Sequence, residues 1–301
     1  MIVVFGSINL DLIFPLTAIP RAGETLLAPG IRIEPGGKGA NQAVAAARDG
    51  AQVVMAGAVG RDALAAGALE LLRAATIDLS RIIEADAATG CAAIFVDPAG
   101  ANAIGVGSGA NLAARATQIE DALLGPTTTL VLQMEVPTTE TEALIHRGRA
   151  RGARIILNLA PAAPIETAAL RALDLLTVNE TEAAWLGTHL GCGTDAAALR
   201  GALGVDVVRT LGEDGADVAT AAGVQRVPAQ RIAPVDTTAA GDCFVGVLAA
   251  ALDRGTPLSA ALTRASAAAA LCCTRAGSQS SLPTAAETSA LIEQSKVRAL
   301  P

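Results

Sequence analysis

The chain has 301 residues, with 22 Lys and Arg against 29 Asp and Glu, and a formal net charge of −7. Hydrophobic residues make up 51% of it and aromatic residues only 2%, so the core must be aliphatic. The acidic balance and the lack of aromatic side chains among basic clusters argue against a nucleic-acid partner. This length suits one large α/β domain or two smaller ones.

The N-terminal stretch MIVVFGSINLDLIF begins in a strand-like run, without the basic region or cleavage site of a signal peptide. The longest apolar runs, such as 265–273, are too short to cross a bilayer, so we expect no membrane partner. The five Cys lack C-x-x-C spacing and predict reduced thiols in a cytoplasmic protein. His146 and His189 are isolated and predict no metal site.

Strand-like and helix-like segments alternate along the chain. Apolar runs predict strands at 2–5, 52–57, 129–134, 153–159, 173–178 and 205–211. Stretches rich in Ala, Glu and Arg predict helices at 38–49, 138–151, 180–187 and 195–203. Strands that are apolar throughout and alternate with helices indicate a mainly parallel sheet that is buried on both faces. We therefore expect an α/β fold.

Two β-rich stretches, 10–35 and about 89–106, interrupt this alternation. The second predicts a hairpin of AAIFV (92–96) and NAIGV (102–106) around a turn at Asp97–Gly100. No linker, internal repeat or long charge run divides the chain. We therefore expect one domain, 1–301, in which these two stretches form a small β-sheet lid beside the main sheet.

Polar residues that follow strands mark candidate sites, because open α/β sheets bind ligands beyond the carboxyl ends of their strands. Asn9 and Asp11 in GSINLD can hydrogen-bond vicinal hydroxyls, although both residue types are also common in turns. In GGKGANQA (36–43) the glycines allow a ligand to approach a helix start, but the Walker A spacing is absent. Glu135, directly after a strand, is either a site carboxylate or a helix cap.

Two further stretches allow an ordinary and a functional interpretation. In VNETE (178–182), Asn179 and Glu182 form either a capping box or a site near hydrated Mg²⁺ and phosphates. The turn TLGEDG (210–215) is either a plain hairpin connection or a loop whose amides contact a nucleotide.

The stretch DTTAAGDCF (236–244) places a carboxylate at the beginning of a predicted helix. Consecutive amides from Ala239 to Asp242 would form an anion-binding concavity there, and Asp242 could take a hydroxyl proton. An ordinary helix cap is the alternative. The chain lacks a G-x-G-x-x-G after a strand and a G-x-S-x-G elbow, which disfavours a dinucleotide oxidoreductase and a triad hydrolase.

Five of these stretches resemble, in this order, the successive motifs of the ribokinase-like family of carbohydrate kinases: GSINLD, GGKGANQA, VNETE, TLGEDG and DTTAAGD. The resemblance extends from Gly6 to about Pro283. The resemblance implies a Rossmann-type three-layer sandwich with a mainly parallel central sheet and a β-sheet lid that often serves as a dimer clasp. It also implies transfer of the ATP γ-phosphate to the hydroxymethyl group of a sugar, with D-ribose preferred. The implied partners are the sugar, ATP and a second copy of the chain.

The resemblance also assigns residues. Asp242 is implied as the general base, and the amides of Ala239, Ala240 and Gly241 as the anion hole. The residues implied to hold the sugar are Asn9, Asp11, Gly37, Lys38, Asn41, Glu135 and Asp242. Those implied to contact ATP are Asn179, Thr210, Leu211, Gly212, Glu213, Asp214, Gly215, Gly241, Asp242 and Ser266.

Two metal ions are implied as well. Mg²⁺ is expected near Glu182, through water. K⁺ is expected beside the anion hole, where TRAGSQSSLP (274–283) resembles the family's cation loop. The matching residues, several of them through backbone carbonyls, are Asp236, Thr238, Cys272, Arg275, Gly277 and Ser281.

Other functions stay open at this point. A kinase of fructose, 2-keto-3-deoxygluconate or adenosine would carry similar motifs, and a non-catalytic sugar or nucleotide sensor would keep the same fold. Asn9, Asp11 and GGKGANQA favour ribose, and the intact stretch at 239–242 favours an enzyme.

Overall fold

Thirteen strands and ten α-helices lie within residues 1–98 and 101–298, the part of the chain that the computed structural model describes. In chain order the strands are β1 (Ile2–Phe5), β2 (Asn9–Pro15), β3 (Arg32–Gly36), β4 (Val53–Gly60), β5 (Asp78–Ala85), β6 (Gly90–Val96), β7 (Asn102–Gly107), β8 (Thr129–Leu132), β9 (Arg154–Asn158), β10 (Leu175–Val178), β11 (Asp206–Thr210), β12 (Ala216–Thr220) and β13 (Gly223–Val227). The helices are α1 (Lys38–Arg48), α2 (Ala63–Ala68), α3 (Glu70–Ala74), α4 (Thr138–Arg151), α5 (Thr167–Arg171), α6 (Glu180–Leu190), α7 (Ala196–Leu203), α8 (Ala240–Asp253), α9 (Leu258–Cys273) and α10 (Ala285–Arg298).

Nine strands form the central sheet in the order β13-β12-β11-β10-β9-β8-β1-β4-β5. The neighbouring strands from β11 to β5 are all parallel, whereas β12 and β13 continue the sheet as antiparallel strands. The expected mainly parallel α/β sheet is therefore confirmed.

Strand β1 in the middle of the sheet shows why such strands are apolar throughout. Its four side chains alternate between two cores, with Ile2 and Val4 on one face and Val3 and Phe5 on the other. The first core also contains residues of α1, α8 and α9, and the second contains residues of α4 to α7. Burying each such side chain contributes about 1.5–3 kcal/mol, so helix layers on both faces stabilise the sheet.

A second, separate sheet has four strands in the order β3-β2-β6-β7. Strand β2 pairs parallel with β6 and antiparallel with β3, and the expected β6–β7 hairpin is confirmed. Of the turn predicted there, Ala99 and Gly100 lie outside the described residues. Ile13, Ala92 and Ile94 form a small core of this sheet's own.

Helices α1 and α8 pack closely because small residues meet at their contact. A Cβ on Gly246 would collide with Gln42 O and lie 2.7 Å from Ala45 Cβ. This approach brings the first turn of α8 beside the first turn of α1, so Asp242 lies next to Asn41. Two motifs that are far apart in the sequence thus meet at one place.

The helix predicted at 180–187 is longer than expected. Gly187 lies inside α6 because the chain after the helix passes over it, and a Cβ at this position would lie 3.1 Å from Gly193 O. The helix ends instead at Gly191, which has a left-handed backbone (φ 66). Within residues 1–98 and 101–298, no helix has both the length and the apolar character that a membrane span requires.

Candidate active site

The first turn of α8 carries the amides that the sequence predicts as an anion site. Ala239, just before the helix, has a left-handed backbone (φ 59). In the described part of the chain, the amides of Ala239, Gly241 and Asp242 have no protein acceptor, whereas the amide of Ala240 donates to Thr237 O at 3.2 Å. The positive end of the helix dipole also favours an anion here. Three of the four predicted amides are therefore open, and Ala240 differs because it closes a local turn.

The carboxylate of Asp242 is buried, with 6% of the residue exposed, and accepts two side-chain amide hydrogen bonds. Asn41 Nδ2 donates to Oδ2 and Gln42 Nε2 donates to Oδ1, both at 2.9 Å. Asn41, expected to hold the sugar, thus contacts the expected base. Its Oδ1 is buried without a hydrogen-bond partner, so an acceptor remains for a ligand.

Asp11, on β2, is a buried carboxylate that faces other acids. Burial, followed by the charges of Glu135, Glu34 and Asp242, raises the pKa of Asp11 to about 7, although a hydrogen bond from Ser278 opposes this shift. Ser278 Oγ lies 3.4 Å from Asp11 Oδ2, whereas Oδ1 has no partner. Asp11 therefore offers an unused acceptor to a hydroxyl donor.

Lys38 and Glu135 bring opposite charges to the same place. Glu135 Oε2 accepts from Ser7 Oγ at 2.5 Å and from Lys38 N at 3.2 Å. Burial acts to lower the pKa of Lys38, but the charges of Asp242 and Glu135 outweigh it and raise that pKa. Lys38 therefore stays charged among the acids. Ser7 was not among the predicted site residues, although its position directly after β1 is the signal that would have found it.

Asn9 is oriented by a residue that the sequence did not reveal. Asn111 Nδ2 donates to Asn9 Oδ1 at 2.7 Å, and Asn111 Oδ1 accepts from Ile8 N at 2.9 Å. A Cβ on Gly90 would collide with both amide groups. Asn111 lies in a 3₁₀ turn with no recognisable motif, so only the folded chain identifies its role.

Gly37 allows α1 to begin directly against β2. Its φ of 88° lies in the region that favours glycine. A Cβ on Gly37 would lie 2.8 Å from Asn9 N and 2.9 Å from Ser7 O, both closer than real side chains allow. The close approach seen here is between two backbone segments, those that carry Asn9 and Lys38. The approach of a ligand, which the sequence analysis expects at this motif, stays a prediction.

A cavity of about 240 Å³ opens beside Asp242, at the carboxyl ends of several strands. Seven of its lining residues were predicted as site residues, namely Lys38, Asn179, Glu182, Thr210, Ala239, Gly241 and Asp242. Six were not predicted, namely Asn158, Ala160, Thr177, Val178, Thr237 and Val245. Asn158 and Thr177 are polar residues near the ends of β9 and β10, a signal that the strand pattern contained.

Asn179 and Glu182 form the capping box that the sequence allows. Glu182 N donates to Asn179 Oδ1, and Asn179 N donates to Glu182 Oε2, both at 2.8 Å. Burial raises the pKa of Glu182, while the bond from Asn179 and the charge of Lys38 act against this. The two side chains cap α6 and line the cavity as well, so the two interpretations are compatible.

The turn TLGEDG connects β11 to β12 through a short 3₁₀ helix, Gly212–Asp214. Leu211 N donates to Gly215 O at 2.8 Å, and Thr210 Oγ1 lies 3.4 Å from Val178 O. Thr210 lines the cavity, whereas the other predicted nucleotide-binding residues of the turn do not. Ser266, on α9, is also absent from the lining, and its Oγ donates to Pro228 O at 3.3 Å.

The predicted cation loop is tied to the segment before α8. Asp236 accepts from Thr238 N at 2.9 Å and from Gly277 N at 3.0 Å. Burial opposes ionisation of Asp236, but these hydrogen bonds prevail and lower its pKa. Cys272 Sγ lies 3.0 Å from Ser281 Oγ and 3.9 Å from Thr238 O. Arg275 N also donates to Cys272 O at 3.2 Å, so all six residues expected around a monovalent cation are linked by direct contacts.

The side chain of Arg275 has a partner outside these six. Its guanidinium lies 2.6 Å from Glu287 Oε1, and this contact lowers the pKa of Glu287 to about 2. The guanidinium is thus paired with a carboxylate, and the contact of Arg275 with the other five is made by its backbone amide. In residues 1–98 and 101–298, no group of three or more His, Cys, Asp and Glu side chains could hold a metal ion. All five cysteines are free thiols.

Comparison with known proteins agrees with this geometry. Residues 1–285 match the model of the pfkB family carbohydrate kinases. The chain is 34% identical over 299 residues to a ribokinase of Haemophilus influenzae, covering 96% of this chain and 97% of that one. It is 35% identical over 294 residues to a deoxyribokinase of Salmonella typhi, covering 94% and 95%. The structure of Arabidopsis thaliana ribokinase complexed with ribose and ATP aligns with a TM-score of 0.86 and 28% identity, covering 97% and 98%.

Proposed function

Because the chain belongs to the pfkB family of carbohydrate kinases, phosphotransferases with an alcohol group as acceptor, we propose that it converts D-ribose and ATP to D-ribose 5-phosphate and ADP. Similarity to ribokinases over nearly the whole length supports ribose as the acceptor. One observation carries the proposal. In the described residues, two groups of atoms near Asp242 have no hydrogen-bond partner: buried side-chain acceptors on one side and backbone amides on the other.

The acceptor atoms suit a sugar, because each hydroxyl group can donate one hydrogen bond. Asp11 Oδ1 and Asn41 Oδ1 are buried and unpartnered in the described residues. Asn9, Gly37, Lys38 and Glu135 would hold the same sugar, as the family motifs suggest. An apolar ligand would leave these acceptors unsatisfied, which is costly in a buried site. We therefore infer a polyhydroxylated substrate on this side.

The open amides suit the transferring phosphoryl group. Asp242 would take the proton of the sugar hydroxymethyl group as that oxygen attacks phosphorus. The amides of Ala239, Gly241 and Asp242 would stabilise the negative charge on the phosphoryl oxygens. A base placed in this way contributes on the order of 10²–10⁴-fold in rate.

ATP and Mg²⁺ would occupy the cavity beyond these amides. The turn at 210–215 would contact the nucleotide, with Ser266 assigned to the adenine. Glu182 lines the cavity and uses Oε2 in its capping box, which suits a role as acceptor for a water of hydrated Mg²⁺. When bound, the cation would supply charge neutralisation, and Glu182 would orient that water.

K⁺ would be held by carbonyl groups of the loop at 274–283 and by the segment from Asp236 to Thr238. Asp236 supports this assignment because its carboxylate already joins the two segments through Thr238 N and Gly277 N. The chemistry fits, since carboxylate and carbonyl oxygens suit hard cations. A bound cation would stiffen the backbone that leads into the anion hole.

The four-stranded sheet would act as a lid over the sugar within a single domain, 1–301, because β2 carries Asn9 and Asp11. Closure would exclude water and limit ATP hydrolysis. Ile33, Ile104 and Val106 on this sheet are about half exposed, which suits a homodimer formed through the lids. Free thiols are compatible with a cytoplasmic location.

A panel of acceptors with coupled detection of ADP tests this function. We expect ribose to have the highest kcat/KM, above fructose, 2-keto-3-deoxygluconate and adenosine. The Salmonella typhi relative favours 2-deoxyribose as the second candidate, so that sugar belongs in the panel. A much higher kcat/KM for fructose or adenosine would exclude a ribose kinase, and no turnover with any acceptor would point to a sensor. Equal rates in K⁺ and tetramethylammonium would contradict the cation assignment.

A further inference from the structure

Two buried glutamines form a chain of hydrogen bonds that ends on Asp242. Gln133, which follows β8, donates from Nε2 to Gln42 Oε1 at 2.6 Å. Gln42, on α1, donates from Nε2 to Asp242 Oδ1 at 2.9 Å. Both glutamines are fully buried. Neither was assigned a role from the sequence, and neither lines the cavity beside Asp242.

The carboxylate of Asp242 fixes which group donates and which accepts along these hydrogen bonds. An ionised carboxylate can only accept hydrogen bonds, so Gln42 must turn its NH₂ group towards Asp242. Gln42 Oε1 then points to Gln133, which must in turn present its own NH₂ group. Gln133 Oε1 is left buried without a partner, beside Gly6. Along this series of hydrogen bonds, the atom without a partner is thus the one farthest from Asp242. The carboxylate of Asp242 keeps its hydrogen bond from Gln42.

The two oxygens of Asp242 consequently differ. Oδ1 faces Gln42, which is fully buried. Oδ2 faces Asn41, whose own Oδ1 is buried without a partner and would meet the sugar. In the described residues only these two side-chain amides are hydrogen-bonded to the carboxylate, so they alone set its rotation.

We propose that Gln42 and Gln133 are positioning residues that anchor Asp242 Oδ1, so that Oδ2 is the atom that takes the proton of the acceptor hydroxyl. The proposal rests on the kinase function above, in which Asp242 is the base. The acceptor O–H bond and the bond from the γ-phosphorus of ATP to its bridging oxygen break as the new O–P bond forms. The proton moves to Oδ2, and ADP is the leaving group. Asn41 Oδ1 accepts a hydrogen bond from the sugar and aligns it with the same oxygen. Without the anchor, the carboxylate can rotate about its terminal torsion, which is broad for Asp.

Gln133 lies too deep to touch a substrate, so it can act on the reaction only through Gln42. This arrangement predicts a particular kind of non-additivity. Two mutations that act through one shared contact should not multiply, whereas independent structural effects should. We call this action of Gln133 on Asp242 through Gln42 the relay. A double-mutant cycle of Gln42→Met, Gln133→Met and the double variant tests it directly.

We expect Gln42→Met to lower kcat about 10- to 100-fold, the effect of losing one hydrogen bond to a charged group. Gln133→Met should lower kcat roughly 3- to 10-fold, because Gln42 keeps its contact but loses its orientation. The Kd for the sugar, measured calorimetrically, should stay within about threefold in both. The double variant should match Gln42→Met. Multiplied losses in the double variant, or a raised KM with unchanged kcat, would overturn the relay.

Gln133→Glu tests the direction of the relay. A carboxylate there has no N–H to donate to Gln42 Oε1 and attracts the Gln42 amide away from Asp242, so kcat should fall below that of Gln133→Met. The opposite order would contradict the proposed direction. Gln118→Met is a control away from Asp242, because Gln118 is a partly buried glutamine that donates hydrogen bonds to Gly57 O at 2.8 Å and to Arg81 O at 2.6 Å. It should lower thermal stability and leave kcat unchanged.

Turnover by the wild-type chain separates the two proposals. If the panel identifies another acceptor, the same cycle is run with that acceptor, and the ratios of kcat still test the relay. A wild-type chain with no turnover would refute the kinase function itself. If Gln42→Met does not fold, as shown by loss of its thermal transition, Gln133→Met and Gln133→Glu still test the relay because neither touches Asp242.

Discussion

The sugar side and the phosphate side of Asp242 are built in different ways. On the sugar side, side chains join residues that are distant in sequence, such as Ser7 to Glu135, 128 positions apart, and Asn41 to Asp242, 201 apart. On the phosphate side, the amides are arranged by local contacts, such as Thr237 with Ala240 and Asp236 with Thr238. The sugar side therefore depends on contacts across the whole fold. The amides of the phosphate side belong to one turn and one helix start, and Asp236 joins this segment to the C-terminal loop through Gly277 N.

This difference has a physical reason. Sugar hydroxyls need several acceptors at fixed positions, and side chains from β2, from α1 and from the segment after β8 can supply them only when the fold brings them together. A phosphoryl group needs donors on a small sphere, which consecutive backbone amides at a helix N-terminus already provide. Variants that affect one side alone should therefore separate sugar binding from phosphoryl transfer.

The largest effect is expected from Asp242→Asn, since Asp242 belongs to both sides. The variant removes the proposed proton acceptor, and kcat should fall on the order of 10²–10⁴-fold. Asparagine has nearly the same shape, and the other sugar contacts stay in place, so the sugar Kd should change little. Steady-state kinetics with calorimetric titration of the sugar measures both quantities. A near-normal kcat would exclude Asp242 as the base.

Two glycine variants compare the two sides directly. In Gly37→Ala the new Cβ meets Asn9 N and Ser7 O within 3.0 Å at a φ of 88°, so the backbone must shift. The expected cost is about 1–3 kcal/mol of unfolding free energy, together with weaker sugar binding. Urea denaturation and sugar titration measure these effects.

Gly241→Ala is the matched variant on the phosphate side. A Cβ there has no protein atom within 4 Å, and the backbone needs no glycine conformation. Stability should change by no more than about 0.5 kcal/mol, and the sugar Kd should be unchanged. An equal loss of stability in Gly37→Ala and Gly241→Ala would contradict this contrast between a closely packed sugar side and a phosphate side with free space at its helix start.

The local patterns of the sequence were enough to predict the phosphate side. The helix that begins at Ala240, the Asn179–Glu182 capping box and the strand before Thr210 all follow from runs of neighbouring residues. The same holds for the parallel sheet, because strands buried on both faces are apolar throughout. Helix α6 is the instructive error, since Gly187 ends no helix here and serves close packing instead.

The sugar side could be predicted only where a motif marks it. Asn9, Lys38 and Glu135 follow strands or lie in the glycine-rich stretch, so their positions were informative. Asn111 and Gln133 were missed because each acts through one partner that is remote in sequence, 102 and 91 positions away. Such pairs leave no periodic or local signal in a single sequence. The four-stranded lid sheet was predicted from its β-rich stretches, but the contact of Ser278 with Asp11 was not.

The last effect depends on pH and concerns the charge of Asp11, and its sign can be derived. The pKa of Asp11 is about 7 in the folded chain and about 3.8 as the ordinary value, so the folded state binds more protons between these two pH values. Stability from this group therefore falls as the pH rises through that range. Asp11→Asn does not titrate, so its stability relative to wild type should increase from pH 4 to pH 8, by about 1–4 kcal/mol.

Asp62→Asn provides a control with the opposite trend. Asp62 accepts hydrogen bonds from Thr89 N and from Leu64 N and Ala65 N at the start of α2, and these bonds lower its pKa. Its stabilising effect is present above the ordinary Asp pKa and is lost as the pH falls through the lower, folded value. Asp62→Asn should therefore be least stable, relative to wild type, at neutral pH. Thermal unfolding at several pH values measures both trends. If Asp11→Asn and Asp62→Asn gave the same trend, the raised pKa of Asp11 would be contradicted.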